Sequence, residues 1–184
     1  MSVHIQNQPY PENTKYQQLF DTYPFQLSDF QKWAITAIHE SKNVLITAFT
    51  GSGKTLPAEE AIRYYKSIGF KSIYCSPVKA LTNEKYDSFR KKFPDISFGI
   101  FTGDNKDNPE ADCLLMTTEI LANNLNINNI DKQVDILDFK IDYATELGVV
   151  IFDEFQYLIS DRGSAWNDVV VNLPKSVPIV ALSA

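Results

Sequence analysis

Cysteine and histidine are scarce, two of each in 184 residues. Two cysteines, Cys75 and Cys113, cannot staple a small secreted fold, and with two histidines they form no cluster of zinc-ligand spacing. Both lie in apolar, strand-like segments and are expected to be reduced core residues. No apolar run approaches the ~20 residues that cross a bilayer. The N-terminus is polar and proline-containing, unlike a secretory leader. A membrane partner is therefore not expected, and a place inside the cell, in cytoplasm or nucleus, is. Glycine is sparse too, 7 residues in all, so a close pair of glycines is informative. Basic residues are outnumbered and the net charge is −6, which argues against gripping a polyanion over the whole surface. The sign is unevenly spread. Residues 42–92 hold ten Lys and Arg against four Asp and Glu, net +6, and the remainder holds seven against nineteen, net −12. The basic part is where phosphates would be met, although Lys79, Lys85, Arg90, Lys91 and Lys92 also read simply as a solvated helix face.

The glycine pair sits in Ala48-Phe49-Thr50-Gly51-Ser52-Gly53-Lys54-Thr55. Before it, Asn43 to Ala48 is a short apolar, β-branched run that predicts a buried strand. After it, Leu56, Ala61, Ile62 and Tyr65 share one face of a helix beginning near Lys54, and Pro57 falls in the first turn, where its missing N–H costs little. Strand, glycine loop and helix are the setting of a phosphate-binding loop. Gly51 and Gly53 allow backbone angles and a close approach that a β-carbon would block. The N–H groups from Thr50 to Thr55, Ser52 among them, would then cradle phosphate oxygens at a helix N-terminus. Lys54 would reach the outer phosphates, and the Thr55 hydroxyl would ligate Mg2+. Ala48 stands where the strict pattern has glycine, so the loop is a variant.

About a hundred residues on, Leu147 to Phe152 is a second apolar run that ends in Asp153-Glu154. Ligands of open α/β sheets bind beyond the carboxyl ends of the strands. That setting predicts Asp153 as the residue holding Mg2+ through water and Glu154 as the group that orients or deprotonates the attacking water. The two motifs together describe a P-loop NTPase domain, an α/β fold with a mainly parallel sheet and helices on both faces, binding a nucleoside triphosphate with Mg2+; the family resemblance below makes it RecA-like and the nucleotide ATP. Further strands are expected at Ser72 to Cys75, Ile96 to Phe101, Asp112 to Met116 and Ile179 to Leu182, and helices at about 79–93, 118–125 and 165–173.

The segments between these motifs resemble the DExH-box helicases of superfamily 2, and most of all the superkiller-like RNA helicases that serve the exosome. Ser76-Pro77-Val78-Lys79-Ala80-Leu81 is similar to that group's motif Ia, Phe101-Thr102-Gly103-Asp104 to its Thr-Gly-Asp element, and Met116-Thr117-Thr118-Glu119-Ile120-Leu121 to motif Ib. Asp153-Glu154-Phe155-Gln156 occupies motif II, Asp161-Arg162-Gly163 with Trp166 follows as in that group, and Ala181-Leu182-Ser183-Ala184 resembles the start of motif III. The resemblance covers about residues 23 to 184. It implies a first RecA-like lobe over 23–184 behind a polar arm over 1–22. It also implies that a second RecA-like lobe, with motifs IV to VI and an arginine finger, lies outside this chain. A lobe by itself would then hydrolyse ATP poorly.

The same resemblance assigns a single-stranded nucleic-acid track, for RNA ahead of DNA, to Ser76, Pro77, Lys79, Thr102, Gly103, Thr117 and Thr118. Hydroxyls and helix N-termini at strand ends suit such contacts. Thr118 also reads as a helix cap. Gln156 replaces the usual histidine at a position that couples hydrolysis to motif III. Gln31 falls where the family's Q-motif glutamine reads the adenine edge. It also completes a capping box with Ser28, so two roles compete for one side chain. Asn123 to Asn129, with five asparagines, and the acidic stretch to Asp142 read as a surface insertion. Such composition fits an AT-rich genome, that of a large DNA virus included. A DNA helicase of the same superfamily, or a nucleotide- or RNA-binding module without turnover, are the competing readings.

Overall fold

A computed structural model describes residues 3–130, 141–159 and 163–184, the side chains of 126–130 aside. Parallel strands alternate with helices, as the apolar runs require. In chain order the elements are α1 (Gln17–Phe20), α2 (Asp29–His39), β1 (Val44–Thr47), α3 (Thr55–Ser67), β2 (Lys71–Ser76) and α4 (Lys79–Lys92). Then follow β3 (Phe98–Phe101), β4 (Lys106–Asp107), β5 (Cys113–Thr117), α5 (Thr118–Ile130), β6 (Leu147–Phe152), a short 3-10 helix (Phe155–Ile159), α6 (Gly163–Asn172) and β7 (Ile179–Ser183). One sheet of order β1-β7-β6-β2-β5-β3-β4 takes in every described strand. All pairings are parallel except β3 with β4. This agrees with the expected fold class.

Strand periodicity splits the core in two. Val149 and Ile151 of β6 face one cluster and Val150 and Phe152 the other, as side chains on a pleated strand must. Ala34 and Ile38 of α2, Ala58 and Ile62 of α3 and Phe89 of α4 close the first face. Leu121 and Leu125 of α5, with Trp166 and Val169 of α6, close the second. Covered on both faces, the central strands need no polar side; every residue of β6 is buried. Cys75 and Cys113 are free and buried, and burial pushes both thiols up.

Three elements escaped the sequence reading: α1, the 3-10 helix and β4, each too short to show a period. Residues 1–22, expected as a polar arm, do not stand away from the body beyond Gln8. Tyr10 meets Trp33 at 4.7 Å and Phe20 at 5.4 Å, the Trp33 indole donates to Gln8 O at 3.0 Å, and Phe20 is buried beside Leu27 and Ile35. The asparagine-rich segment is also corrected in part. Asn124 lies within α5, buried, and accepts a hydrogen bond from the Tyr143 hydroxyl. Amphipathic burial of Leu121, Ala122 and Leu125 carries the helix through it. The acidic stretch over 131–140 lies outside the described residues, as do Asp161 and Arg162.

Candidate active site

The sheet order sets the site. β1, β7 and β6 are consecutive neighbours, so the glycine loop, Ser183 and Asp153-Glu154 all emerge at one end of three adjoining parallel strands. The loop is tied to β7 by Ala48 N–H donating to Ser183 O at 3.2 Å. Gly51 and Gly53 both have φ +85°, the left-handed region that the loop demands and that favours glycine. A β-carbon on Gly53 would lie 2.6 Å from Gln31 Nε2, whereas one on Gly51 would meet nothing within 4 Å.

Gln31 itself has both ends engaged. Its Oε1 accepts from Ser28 N–H at 2.9 Å and its Nε2 donates to Gly53 O at 3.1 Å. The capping box is therefore formed, and the same amide braces the loop. Each end retains capacity for one more hydrogen bond, so the cap does not consume the side chain.

Lys54 is 8% exposed and its Nζ has no hydrogen-bond acceptor, and Ser52 Oγ is likewise unpartnered. A buried ammonium without a partner is costly unless an anion meets it. Two such donors behind a loop with two left-handed glycines fit a nucleotide phosphate. A hydroxyl and a carboxylate, both oxygen donors that suit Mg2+, stand at the ends of neighbouring elements: Thr55 opens α3, and Asp153 is 5% exposed and follows β6.

Asp153 is held at both oxygens. Oδ1 accepts from the Glu154 N–H at 3.0 Å, and Oδ2 accepts from the Tyr74 hydroxyl at 2.7 Å with Lys85 Nζ at 3.7 Å. Glu154 has φ +55°, a conformation that costs a non-glycine residue about 1–2 kcal/mol and recurs at functional sites. Gln156 then joins two motifs. Its Nε2 donates to Glu154 Oε2. Its Oε1 accepts from Ser183 Oγ at 3.1 Å and from Ala184 N–H at 3.3 Å. Neither Tyr74, Lys85 nor Ser183 figured among the residues expected to form the site. One signal was available for Tyr74: a tyrosine in an apolar strand needs a hydrogen-bond partner when buried. Trp166 is buried against Phe152 at 5.1 Å and Phe155 at 5.7 Å, behind the 3-10 helix.

The residues expected along a nucleic-acid track divide sharply. Ser76, Pro77, Thr102, Thr117 and Thr118 are buried, and only Lys79 and Gly103 are exposed. Ser76 Oγ and Thr118 Oγ1 are enclosed without a partner. The exposed parts form one contact: Lys79 Nζ pairs with Asp104 at 2.7 Å beside Gly103. Several other basic groups of the positive segment are paired as well, Lys66 with Asp112, Lys71 with Glu110 and Lys92 with Glu59. Part of the charge of this segment is thus balanced by acidic neighbours.

Residues 28–184 match the DEAD/DEAH box helicase family. Among curated proteins the chain is 39% identical over 164 residues to "Antiviral helicase SKI2" of Saccharomyces cerevisiae, covering 89% of this chain and 12% of that protein. It is 39% identical over 163 residues to the human "Exosome RNA helicase MTR4", covering 88% of this chain and 14% of that protein. The chain thus spans about an eighth of the length of these relatives. Both come from cellular organisms and lend no support to a viral source. Among solved structures, the DUF1998 helicase MrfA bound to DNA and AMPPNP superposes with a TM-score of 0.68 at 18% identity, over 96% of this chain and 27% of that one; this likeness concerns the fold alone.

Proposed function

We propose that this chain, which belongs to the DEAD/DEAH box helicase family, is the ATP-binding first motor lobe of an ATP-dependent RNA helicase acting inside the cell. The observation that carries the reading is the pairing of a buried, unpartnered Lys54 ammonium behind the Gly51–Gly53 loop with Asp153-Glu154 two strands away in the sheet. RNA stands ahead of DNA because the relatives at 39% identity include a protein named as an RNA helicase.

In this reading the N–H groups of the loop around Gly51 and Gly53 bind the phosphates, the Ser52 N–H being donated to Phe49 O at 3.2 Å with its hydroxyl left for them, and Lys54 supplies the positive charge that meets the terminal ones. Bound Mg2+, which Thr55 and Asp153 would hold, neutralises charge on the transferring phosphoryl group. Glu154 orients the attacking water and accepts its proton. Gln156 holds Glu154 through Nε2 and reads the end of β7 through Oε1, so a shift at Ser183 is felt at the water-orienting carboxylate. Gln31 braces the loop and has a hydrogen bond to spare for the adenine edge. The single strand runs past Lys79 and Gly103, with the N-termini of α4 and α5 directed at its phosphates. A second RecA-like lobe closes the site and contributes an arginine finger. Such a residue is worth about 10³–10⁵ in rate, so this lobe alone binds nucleotide and turns it over slowly.

The test is nucleotide binding and RNA-stimulated hydrolysis, the latter measured in the protein containing both lobes, each beside Lys54→Ala. Mg2+-dependent ATP binding abolished by the substitution, with turnover stimulated by single-stranded RNA over DNA, is the expected result. Stimulation by DNA alone moves the chain to the DNA helicases, and binding without turnover in the two-lobed protein moves it to a binding module.

A further inference from the structure

Tyr74 brings a hydroxyl into the apolar interior beneath the site. The residue is 0% exposed, and its ring is wedged edge-on against Phe89 at 5.3 Å and 87°. A phenol in that place must find an acceptor. It finds Asp153 Oδ2, 2.7 Å away and 79 residues along the chain. The second oxygen of the same carboxylate is taken by Glu154 N–H. Lys85, midway along α4 and 24% exposed, lies 3.7 Å from Oδ2. The carboxylate is therefore oriented by the protein, with lone pairs left over for a further ligand.

We propose that Tyr74 is a positioning residue for the cation of the nucleotide site, its hydroxyl setting the angle of the Asp153 carboxylate, while Lys85 is the resident cation that an incoming metal ion displaces from that carboxylate. The inference rests on the reading of Asp153 as a Mg2+-holding group. Mg2+ demands near-octahedral geometry and tolerates a misdirected ligand poorly. Hydrogen-bond partners behind metal-holding carboxylates commonly change metal affinity 10–100-fold. Lys85 acts with the opposite sign: a positive charge beside the carboxylate opposes a second one.

The chain is titrated with Mg2+ in the presence of a fluorescent methylanthraniloyl ATP analogue, and the analogue is titrated separately in EDTA. Tyr74→Phe is expected to raise the half-saturating Mg2+ concentration about tenfold and to leave affinity in EDTA within about twofold. Lys85→Gln is expected to lower that concentration about threefold. In an Asp153→Asn background Tyr74→Phe should add nothing, as for a residue acting only through that carboxylate. An unchanged Mg2+ requirement in Tyr74→Phe overturns the proposal. So does an equal loss of affinity with and without Mg2+, which marks a purely structural residue. Should Tyr74→Phe fail to fold, Lys85→Gln decides, and an unchanged requirement there overturns it. Wild-type chain that binds the analogue indifferently to Mg2+, or not at all, sinks the nucleotide-site reading itself and this proposal with it.

Discussion

Replacing each glycine of the loop between β1 and α3 by alanine separates two costs that act at different positions. Gly51 and Gly53 share the same φ of +85°. A β-carbon in that region costs about 1–2 kcal/mol in either case. Around Gly51 the new methyl meets nothing within 4 Å, so strain is the whole effect. At Gly53 it would stand 2.6 Å from Gln31 Nε2. The amide must then withdraw from Gly53 O, losing a hydrogen bond worth about 0.5–1.5 kcal/mol. Its grip on the Ser28 N–H is strained too, at about 0.5–1 kcal/mol if the capping box opens. Gly53→Ala should therefore be destabilised by about 2–4 kcal/mol and Gly51→Ala by about half that. For a domain of this size each kcal/mol shifts Tm by about 2–4 °C, so the two variants should melt several degrees apart. Thermal unfolding followed by circular dichroism measures this directly. Adding Gln31→Ala should cost Gly53→Ala less than it costs wild type, since the contact is already lost. Equal melting of the two glycine variants, or full additivity with Gln31→Ala, would refute the idea that Gln31 braces the loop.

Other consequences are equally open to measurement. Gln156→Ala should lower kcat of the two-lobed protein about tenfold with nucleotide affinity held within about twofold, because it removes the hydrogen bond to Glu154 and the tie to Ser183 together; an equal loss of affinity would place Gln156 in ground-state binding instead. Glu154→Gly should raise stability by about 0.5–1 kcal/mol, relieving a left-handed non-glycine residue, while hydrolysis falls at least about 100-fold. A melting temperature that drops would show that Glu154 is not strained. Asp112 tests a pH dependence. Burial raises its pKa, but hydrogen bonds from Ser97 and Lys66 outweigh that and hold the carboxyl below its usual range. A depressed carboxylate stabilises the fold above its unfolded pKa and loses that contribution as pH falls through its folded value. Asp112→Asn should accordingly lower Tm at neutral pH and lose its effect in strong acid; an effect independent of pH would contradict the assignment.

Local chemistry made much of the glycine loop and the Asp153-Glu154 corner readable in advance. An apolar strand, two glycines and a lysine opening a helix are the marks of a phosphate-type loop, because φ of +85° and a helix start are properties of a few consecutive residues. An apolar run ending in Asp153-Glu154 is similarly local. The strand face was legible only as motifs. The resemblance assigned Ser76, Thr102, Thr117 and Thr118 to a nucleic-acid track, and the structure buries all four where β2, β3 and β5 end. Asn124 misled in the same way, since a polar residue is buried where a distant hydroxyl, here that of Tyr143, can satisfy it.

Composition, periodicity and glycine placement thus determined which segments are strands and where the left-handed glycine loop follows β1. Tertiary structure decided who holds whom. Tyr74 reaches Asp153 because β2, early in the chain, pairs with β6, late in it, in the register that sets Tyr74 against Ile151 and Cys75 against Phe152. Gln156 reaches Ser183 because β7 lies beside β6, between it and β1. Side-chain partners across a parallel sheet depend on strand order and register. Those follow from the packing of both apolar faces at once, a global balance that no local window of residues contains.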